Sequence, residues 1–291
     1  MPEILIISGK GGTGKTSLTG AFAHLAGGQV ICDLDVDAPD LHLLLQPEAQ
    51  QVNEFHSGNQ AVIDPELCTG CGLCQEKCRF EAIEEREGVF RVEPLKCEGC
   101  KLCVTLCPAE AIEFPQKHCG SWRISRTRLG PMVHAQLFPG EENSGRLVAL
   151  LRQQARELGQ AQGLELILSD GPPGIGCPVI SSLSGADLAV VVTEPTPSGR
   201  HDLERVVDLC RHFKVKTGVI VNKHDLNPEQ SASIQDYCAG QGLELLALLP
   251  YDPVVTEAMV QGKVITEYSR DGMAKELARA WERIAGAASL A

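Results

Sequence analysis

One octapeptide constrains this chain more than any other feature. Gly9-Lys10-Gly11-Gly12-Thr13-Gly14-Lys15-Thr16 follows an apolar run, Ile4 to Ile7, and precedes a helical pattern from Ser17 to Ala26. A G-x-x-x-x-G-K-[ST] string functions as the turn between a strand and a helix, so the N-terminal segment is expected to fold as strand, loop and helix. Its glycines let successive backbone N–H groups converge on phosphate oxygens. Lys15 reaches the outer phosphates, and the Thr16 hydroxyl is placed to ligate Mg²⁺. Gly9 through Ser17 are therefore the expected nucleotide-binding residues.

Further apolar runs read as buried parallel strands: Val30 to Ile31, Leu164 to Leu168, Leu188 to Val192, Val219 to Val221 and Leu245 to Leu249. Helical patterns separate most of them, and Ser144 to Leu158 has the period of an amphipathic helix. This alternation predicts a doubly wound, mostly parallel α/β sheet with ligands at the carboxyl ends of its strands. The 291 residues are ample for a buried core, and 43% hydrophobic with 22% charged residues excludes disordered and fibrous classes. Trp122 to Leu137 alternates polar and apolar residues, as short strands do.

Acidic residues fall where such a fold places its chemistry. Asp33, Asp35 and Asp37 follow the second strand, and closely spaced carboxylates at a strand end suit Mg²⁺ and water. Asp35 is favoured, with Asp37 second, and Asp40 reads as a solvated acid. Leu164 to Ser169 leads into Asp170-Gly171-Pro172-Pro173-Gly174, a strand ending in an acid and then a glycine-rich loop. Asp170 is expected to hold Mg²⁺ through water together with Thr16 and Asp35, and the Gly174 backbone to sense the terminal phosphate.

The alternation breaks between residues 60 and 118, where cysteine density jumps. Cys68, Cys71, Cys74 and Cys78 follow C-x2-C-x2-C-x3-C, and Cys97, Cys100, Cys103, Cys107 and Pro108 repeat it. Asp64-Pro65-Glu66-Leu67 and Glu93-Pro94-Leu95-Lys96 open the two copies, and Glu81-Ala82-Ile83-Glu84 and Glu110-Ala111-Ile112-Glu113 close them. That makes a duplicated module with local pseudo-twofold symmetry. The runs resemble those of bacterial two-cluster ferredoxins, in which three cysteines bind one cubane and the fourth binds the other. The resemblance implies one [4Fe-4S] cluster on Cys68, Cys71, Cys74 and Cys107 and another on Cys97, Cys100, Cys103 and Cys78. Arg79 replaces the usual proline of the first copy. Zinc is the alternative for C-x2-C pairs, but two tight quartets with crossover spacing fit cubanes better. The expected domains are 1–59 with 119–291 for the ATPase and 60–118 for the ferredoxin module.

The string K-G-G-x-G-K-T, with its early Lys10, resembles the deviant phosphate loop of the MinD/ParA/Mrp superfamily, to which the nitrogenase iron protein also belongs. That resemblance covers nearly the whole chain. It implies an ATPase hydrolysing ATP to ADP and phosphate, slow and stimulated by a partner, in which ATP holds two subunits face to face and Lys10 reaches the other subunit's nucleotide. Lys10, Lys15, Asp35, Asp37 and Asp170 would then be catalytic, with one aspartate after the second strand orienting the attacking water. Asn222, beside Lys223, resembles the family's base-reading asparagine, and Pro250-Tyr251-Asp252 its loop over the adenine. Cys177, seven residues after Asp170, matches one of the nitrogenase iron protein's bridging cysteines, but no cysteine stands at Glu141-Glu142-Asn143 to match the other. A bridging cluster is thus unsupported, leaving packing as the favoured role of Cys177 and a transferred cluster or metal as the alternative. Cys32, Cys210 and Cys238 read as packing residues, and His134 as structural.

A net charge of −12 argues against nucleic-acid and membrane-surface binding, the small Arg123, Arg126, Arg128 cluster notwithstanding. With no secretory leader or membrane span in the sequence, a cytoplasmic protein is expected, where thirteen cysteines call for metal or redox chemistry. The expected activity is ATP-driven dimerisation, as a homodimer or with a paralogous ATPase, coupled to electron transfer through the clusters to a redox partner. The alternatives are a carrier that loads clusters onto an acceptor protein and a MinD-like regulatory switch.

Overall fold

The computed structural model describes residues 1–288. They form two compact units. The first contains Met1–Asn53, Ser121–Leu137 and the chain from Ser144 onward, and the second contains Glu54–Gly120 and Phe138–Asn143.

A nine-stranded sheet has its first seven strands wholly within the first unit. Its order is Glu244–Leu249, Lys216–Asn222, Leu188–Thr193, Glu3–Ser8, Leu166–Pro173, Gln29–Asp33, Gly130–Leu137, Gln116–Thr127 and Glu48–Asn59. The first seven pair in parallel throughout. Ile4 to Ile7 sit in the fourth strand of that order, between Leu188–Thr193 and Leu166–Pro173, and are fully buried, which is why they read as a continuous apolar run. Each such side chain contributes roughly 1.5–3 kcal/mol through burial. The helices Lys15–Ala26 and Met273–Ala287 meet against this core, with the Phe22 and Trp281 rings stacked at 5.8 Å.

The strand expected over Leu164 to Leu168 begins at Leu166 and runs on through Pro173. Asp170 therefore lies inside the ladder, opposite Ile6 on one side and Asp33 on the other. Gly171 permits the continuation, because a Cβ there would lie 2.5 Å from Ile7 Cγ2. A buried ion pair anchors the same strands: Arg152, on the helix Ser144–Gln162, donates to both carboxylate oxygens of Glu3 at 2.8 and 2.7 Å. The same guanidinium donates to the Ser181 and Ser184 carbonyls.

The second unit has a duplicated backbone. Two five-residue helices, Leu73–Lys77 and Leu102–Leu106, lie 29 residues apart. Left-handed residues recur at the same offset: Gly70 and Gly99, Gly72 and Lys101, Glu81 and Glu110. So do cross-connections, with Asp64 N–H donating to the Ala111 carbonyl and Glu93 N–H to that of Ala82. A small core of Ala61, Ile83, Phe90 and Ile112 packs among the cysteines. It is too small to hold a unit of this size by hydrophobic burial alone.

Candidate functional site

The glycine-rich loop opens onto a cavity of about 560 Å³ at the carboxyl ends of the central strands. Gly14 turns the chain into the helix with φ +91°, and a Cβ on it would meet the Asn222 amide at 2.5 Å. Only glycine meets both conditions. The next residue, Lys15, is buried, with Nζ 3.0 Å from Asp170 Oδ1 and 3.8 Å from Asp35 Oδ2. Thr16 donates its hydroxyl to Asp170 Oδ2 at 2.7 Å, and Thr19 donates to Oδ1 at 2.9 Å. The helix thus delivers a cation and two hydroxyls to one carboxylate.

Asp33, Asp35 and Asp170 cluster around Lys15, and burial shifts the titration of the first two. Burial, followed by the charge of Asp170, pushes the Asp33 carboxyl well above the usual carboxylate range. Burial raises Asp35 to about 6 despite the opposing pull of Lys15. Burial alone would lower the Lys15 ammonium, but Asp170, Asp35 and Asp33 outweigh it and hold it high. Asp33 Oδ2 and Thr13 Oγ1 are buried without hydrogen-bond partners. An orphaned carboxylate oxygen beside Asp170 and the Thr16 hydroxyl is an oxygen-rich set that a hard divalent cation fits. Asp37 is exposed and does not line the cavity, whereas Asp40 does.

On the loop's outer side, Lys10 Nζ lies 2.6 Å from Glu194 and donates to the Thr196 and Ser198 hydroxyls, each at 3.1 Å. Glu194 also meets Lys223 at 3.4 Å, and Lys223 donates to the Gly12 carbonyl at 3.2 Å. These two cations hold the Glu194 carboxyl below its ordinary range even though its burial acts the other way. A neighbouring cavity of about 200 Å³ is lined by Gly14, Asn222, Lys223, Pro250 and Asp252. The Asn222 amide donates to the Thr13 carbonyl at 2.8 Å, and the Tyr251 N–H to Asp225 at 2.6 Å. The Gly174 N–H is engaged by the Ser8 carbonyl at 2.8 Å.

The eight repeated cysteines sort into two cavities of the second unit. Cys68, Cys71, Cys74 and Cys107 line one, and Cys78, Cys97, Cys100 and Cys103 the other. Each set draws three sulfurs from one copy and one from the other. Backbone N–H groups are aimed at matching sulfurs, Ala82 at Cys78 and Ala111 at Cys107, both at 3.4 Å. Among the described residues no three His, Cys, Asp or Glu side chains converge on a single-ion position. Each set has the four-thiol composition, three from one run and one from the other, of a cubane site.

Cys32, Cys210 and Cys238 are buried packing residues, and Cys177 is exposed at the start of the helix Cys177–Leu183. His134 is buried and shares a 2.8 Å hydrogen bond with Ser125. Burial first, then Arg123 and His42, lowers it to about 4, which is the profile of a neutral structural histidine. Sequence reasoning missed Glu194, Thr19 and the buried Cys119, whose thiol donates to the Ser57 carbonyl at 3.1 Å. Thr19 carried a signal, standing one turn after Lys15.

Known proteins share the nucleotide-binding fold of this chain. The model of the CobQ/CobB/MinD/ParA nucleotide binding domain matches residues 4–265. An uncharacterized protein of Methanocaldococcus jannaschii, MJ0578, is 36% identical over 229 residues, spanning 77% of this chain and 79% of its own. A protein of Drosophila sechellia named as a cytosolic Fe-S cluster assembly factor, Nubp1 homolog, is 27% identical over 160 residues, 48% of this chain and 50% of its own. Among solved structures, the cell division ATPase MinD of Pyrococcus furiosus shares the fold, with a TM-score of 0.57 at 19% identity, covering 100% of this chain and 99% of that one.

Proposed function

The chain belongs to the CobQ/CobB/MinD/ParA family of nucleotide-binding proteins, and from that premise we propose an ATPase whose nucleotide-dependent dimerisation governs electron transfer through two [4Fe-4S] clusters. The observation that carries the reading is the coexistence of two devices in one chain. One is the Lys15, Thr16, Asp170 constellation at a phosphate-sized cavity, and the other is the pair of four-cysteine cavities.

At the nucleotide, Lys15 exchanges Asp170 for the outer phosphates, a more highly charged partner. Thr16 and Asp170, with Asp33 beside them, would hold Mg²⁺, which when bound neutralises charge on the phosphate oxygens. Asp35, on the opposite side of Lys15, orients the attacking water as a carboxylate. Asn222 and the Pro250 to Asp252 loop supply the adenine cavity. Lys10 leaves Glu194 and crosses to the nucleotide of a second subunit, identical or paralogous. The strand bearing Asp170 leads through Gly174 directly to the helix Cys177–Leu183, so a change at the phosphates reaches that helix within a few residues.

Residues 60–118 form the inserted ferredoxin module in this reading. Cys68, Cys71, Cys74 and Cys107 would hold one cluster and Cys78, Cys97, Cys100 and Cys103 the other, supplying reversible one-electron storage. Anaerobically purified protein should carry about eight irons and eight acid-labile sulfides per chain and hydrolyse ATP. Protein that hydrolyses ATP but holds zinc and no sulfide would overturn the cluster half of the reading.

A second reading is a cluster carrier that loads an acceptor protein, and the similarity to the Nubp1 homolog favours it. Its test is transfer of radiolabelled iron to an apo-ferredoxin in the presence of ATP. Label retained quantitatively on the donor would reject it.

A further inference from the structure

The crossover of the two copies gives each cysteine quartet a built-in comparison, because every residue flanking one quartet has a counterpart 29 residues away flanking the other. Beside Cys78, Cys97, Cys100 and Cys103 stand Lys77, Arg79, Lys96, Glu98 and Lys101. Their counterparts beside Cys107, Cys68 and Cys71 are Leu106, Pro108, Leu67, Thr69 and Gly72. Four cations and one anion thus adjoin one quartet and no charge adjoins the other. The imbalance arises from both copies at once: Lys77 and Arg79 come from the first and Lys96 and Lys101 from the second, yet the crossover puts all four next in sequence to cysteines of one quartet, with Lys77 and Lys101 lining its cavity. Two residues before Cys68, Glu66 stands where the second copy has Leu95, which pushes in the same direction.

Two other determinants of a cluster's potential are shared by the two cavities. Each receives one backbone N–H bond to sulfur at 3.4 Å. Each has one exposed cysteine, Cys71 or Cys100. Burial differs at one position, Cys74 being buried and its counterpart Cys103 partly exposed, and charge differs at all five flanking positions. Acidic partners offset part of it, since Lys77 pairs with Glu76 at 2.7 Å and Lys96 with Glu84 at 3.4 Å. Arg79 and Lys101 exceed Glu98 even after that allowance. Lys101 is also held in the left-handed region, φ +66°, where the first copy has Gly72. That conformation favours glycine, so the position carries its cation against a local penalty.

Building on the two-cluster reading above, we propose that the two clusters are redox-inequivalent and that the first electron lodges on the one held by Cys78, Cys97, Cys100 and Cys103. A one-electron donor reduces that cluster from the 2+ to the 1+ state, and the flanking cations stabilise the added negative charge. Electrons entering through the uncharged quartet then run downhill to the cationic one.

The test is an anaerobic potentiometric titration of the full chain, with dithionite as donor, followed by EPR. The wild type should show two one-electron steps separated by at least tenfold in reduction equilibrium, about 59 mV. The separation should narrow at high salt, because the cations are exposed and therefore screened. Lys101→Gly with Arg79→Pro, each the residue found in the other copy, should lower the higher step alone and reduce the separation below threefold. Gly72→Lys should raise the lower step. Coincident wild-type steps, or substitutions that leave both steps in place while about eight irons per chain are retained, would overturn the proposal. Wild-type protein without cluster iron would instead remove the reading on which it rests.

Discussion

Replacing Asp35 with asparagine should stabilise the nucleotide-free protein at neutral pH while abolishing ATP hydrolysis. Burial lifts the Asp35 carboxyl from 3.8 to about 6. At about 1.4 kcal/mol per pH unit, the folded state thus disfavours the ionised form by roughly 3 kcal/mol. The sign follows from proton counting. Between these two values the folded protein binds more protons at this site than the unfolded chain, so stability is greatest below pH 4 and declines as pH rises through 6. Asparagine removes the ionisation, and the gain should be about 3 kcal/mol at pH 7.5 and about half that at pH 5. Urea titrations read it directly: with a slope near 3 kcal/mol per molar, the midpoint rises by about 1 M at pH 7.5. A midpoint that is unchanged or lower at pH 7.5, or a gain identical at both pH values, would refute the reasoning. Stability traded for a buried carboxylate is what a site built around charge entails.

Four further substitutions probe other parts of the molecule. Arg152→Met leaves the Glu3 carboxylate buried without its main partner and should cost about 3–5 kcal/mol, read as a urea midpoint. A loss below 1 kcal/mol would deny the pair its anchoring role. Gly14→Ala forces a side chain into the left-handed region and against Asn222, which should cost about 2–3 kcal/mol. Gly11→Ala, with nothing within 4 Å of the added Cβ, should stay within about 0.5 kcal/mol, and equal effects of the two would contradict the geometry. Lys10→Ala should leave the nucleotide affinity of a single subunit within about threefold, roughly 0.7 kcal/mol, and eliminate the ATP-dependent dimer in sedimentation. A dimer that persists would assign Lys10 to its intrachain contact with Glu194.

Much of the fold is legible in the sequence because its central strands are buried on both faces, so Ile4 to Ile7 and Leu188 to Val192 appear as unbroken apolar runs. The phosphate loop is legible because its glycines and Lys15 serve local backbone geometry. The cysteine quartets are legible because their spacing is set within two short turns. What escapes sequence reading is long-range. Lys10 and Glu194 lie 184 residues apart, and nothing in either local pattern joins them. A separation of 149 residues hides the Glu3 and Arg152 pair. Among the acids after the second strand, spacing favoured Asp35, but only the sheet register places the Asp33 carboxyl beside Asp170. The run of Asp170 to Pro173 reads as a loop because glycine and proline usually end strands. Its ladder continues since Gly171 fits against Ile7.

The central claim is that one chain couples a nucleotide switch to a two-cluster relay. The most direct measurement is the reduction potential of each cluster by anaerobic EPR in nucleotide-free, ADP-bound and Mg²⁺–ATP-bound protein, with mass in solution recorded in parallel. Coupling predicts that ATP produces the dimer and displaces at least one potential relative to the other two states. Identical potentials in all three states, with the dimer formed, would contradict it.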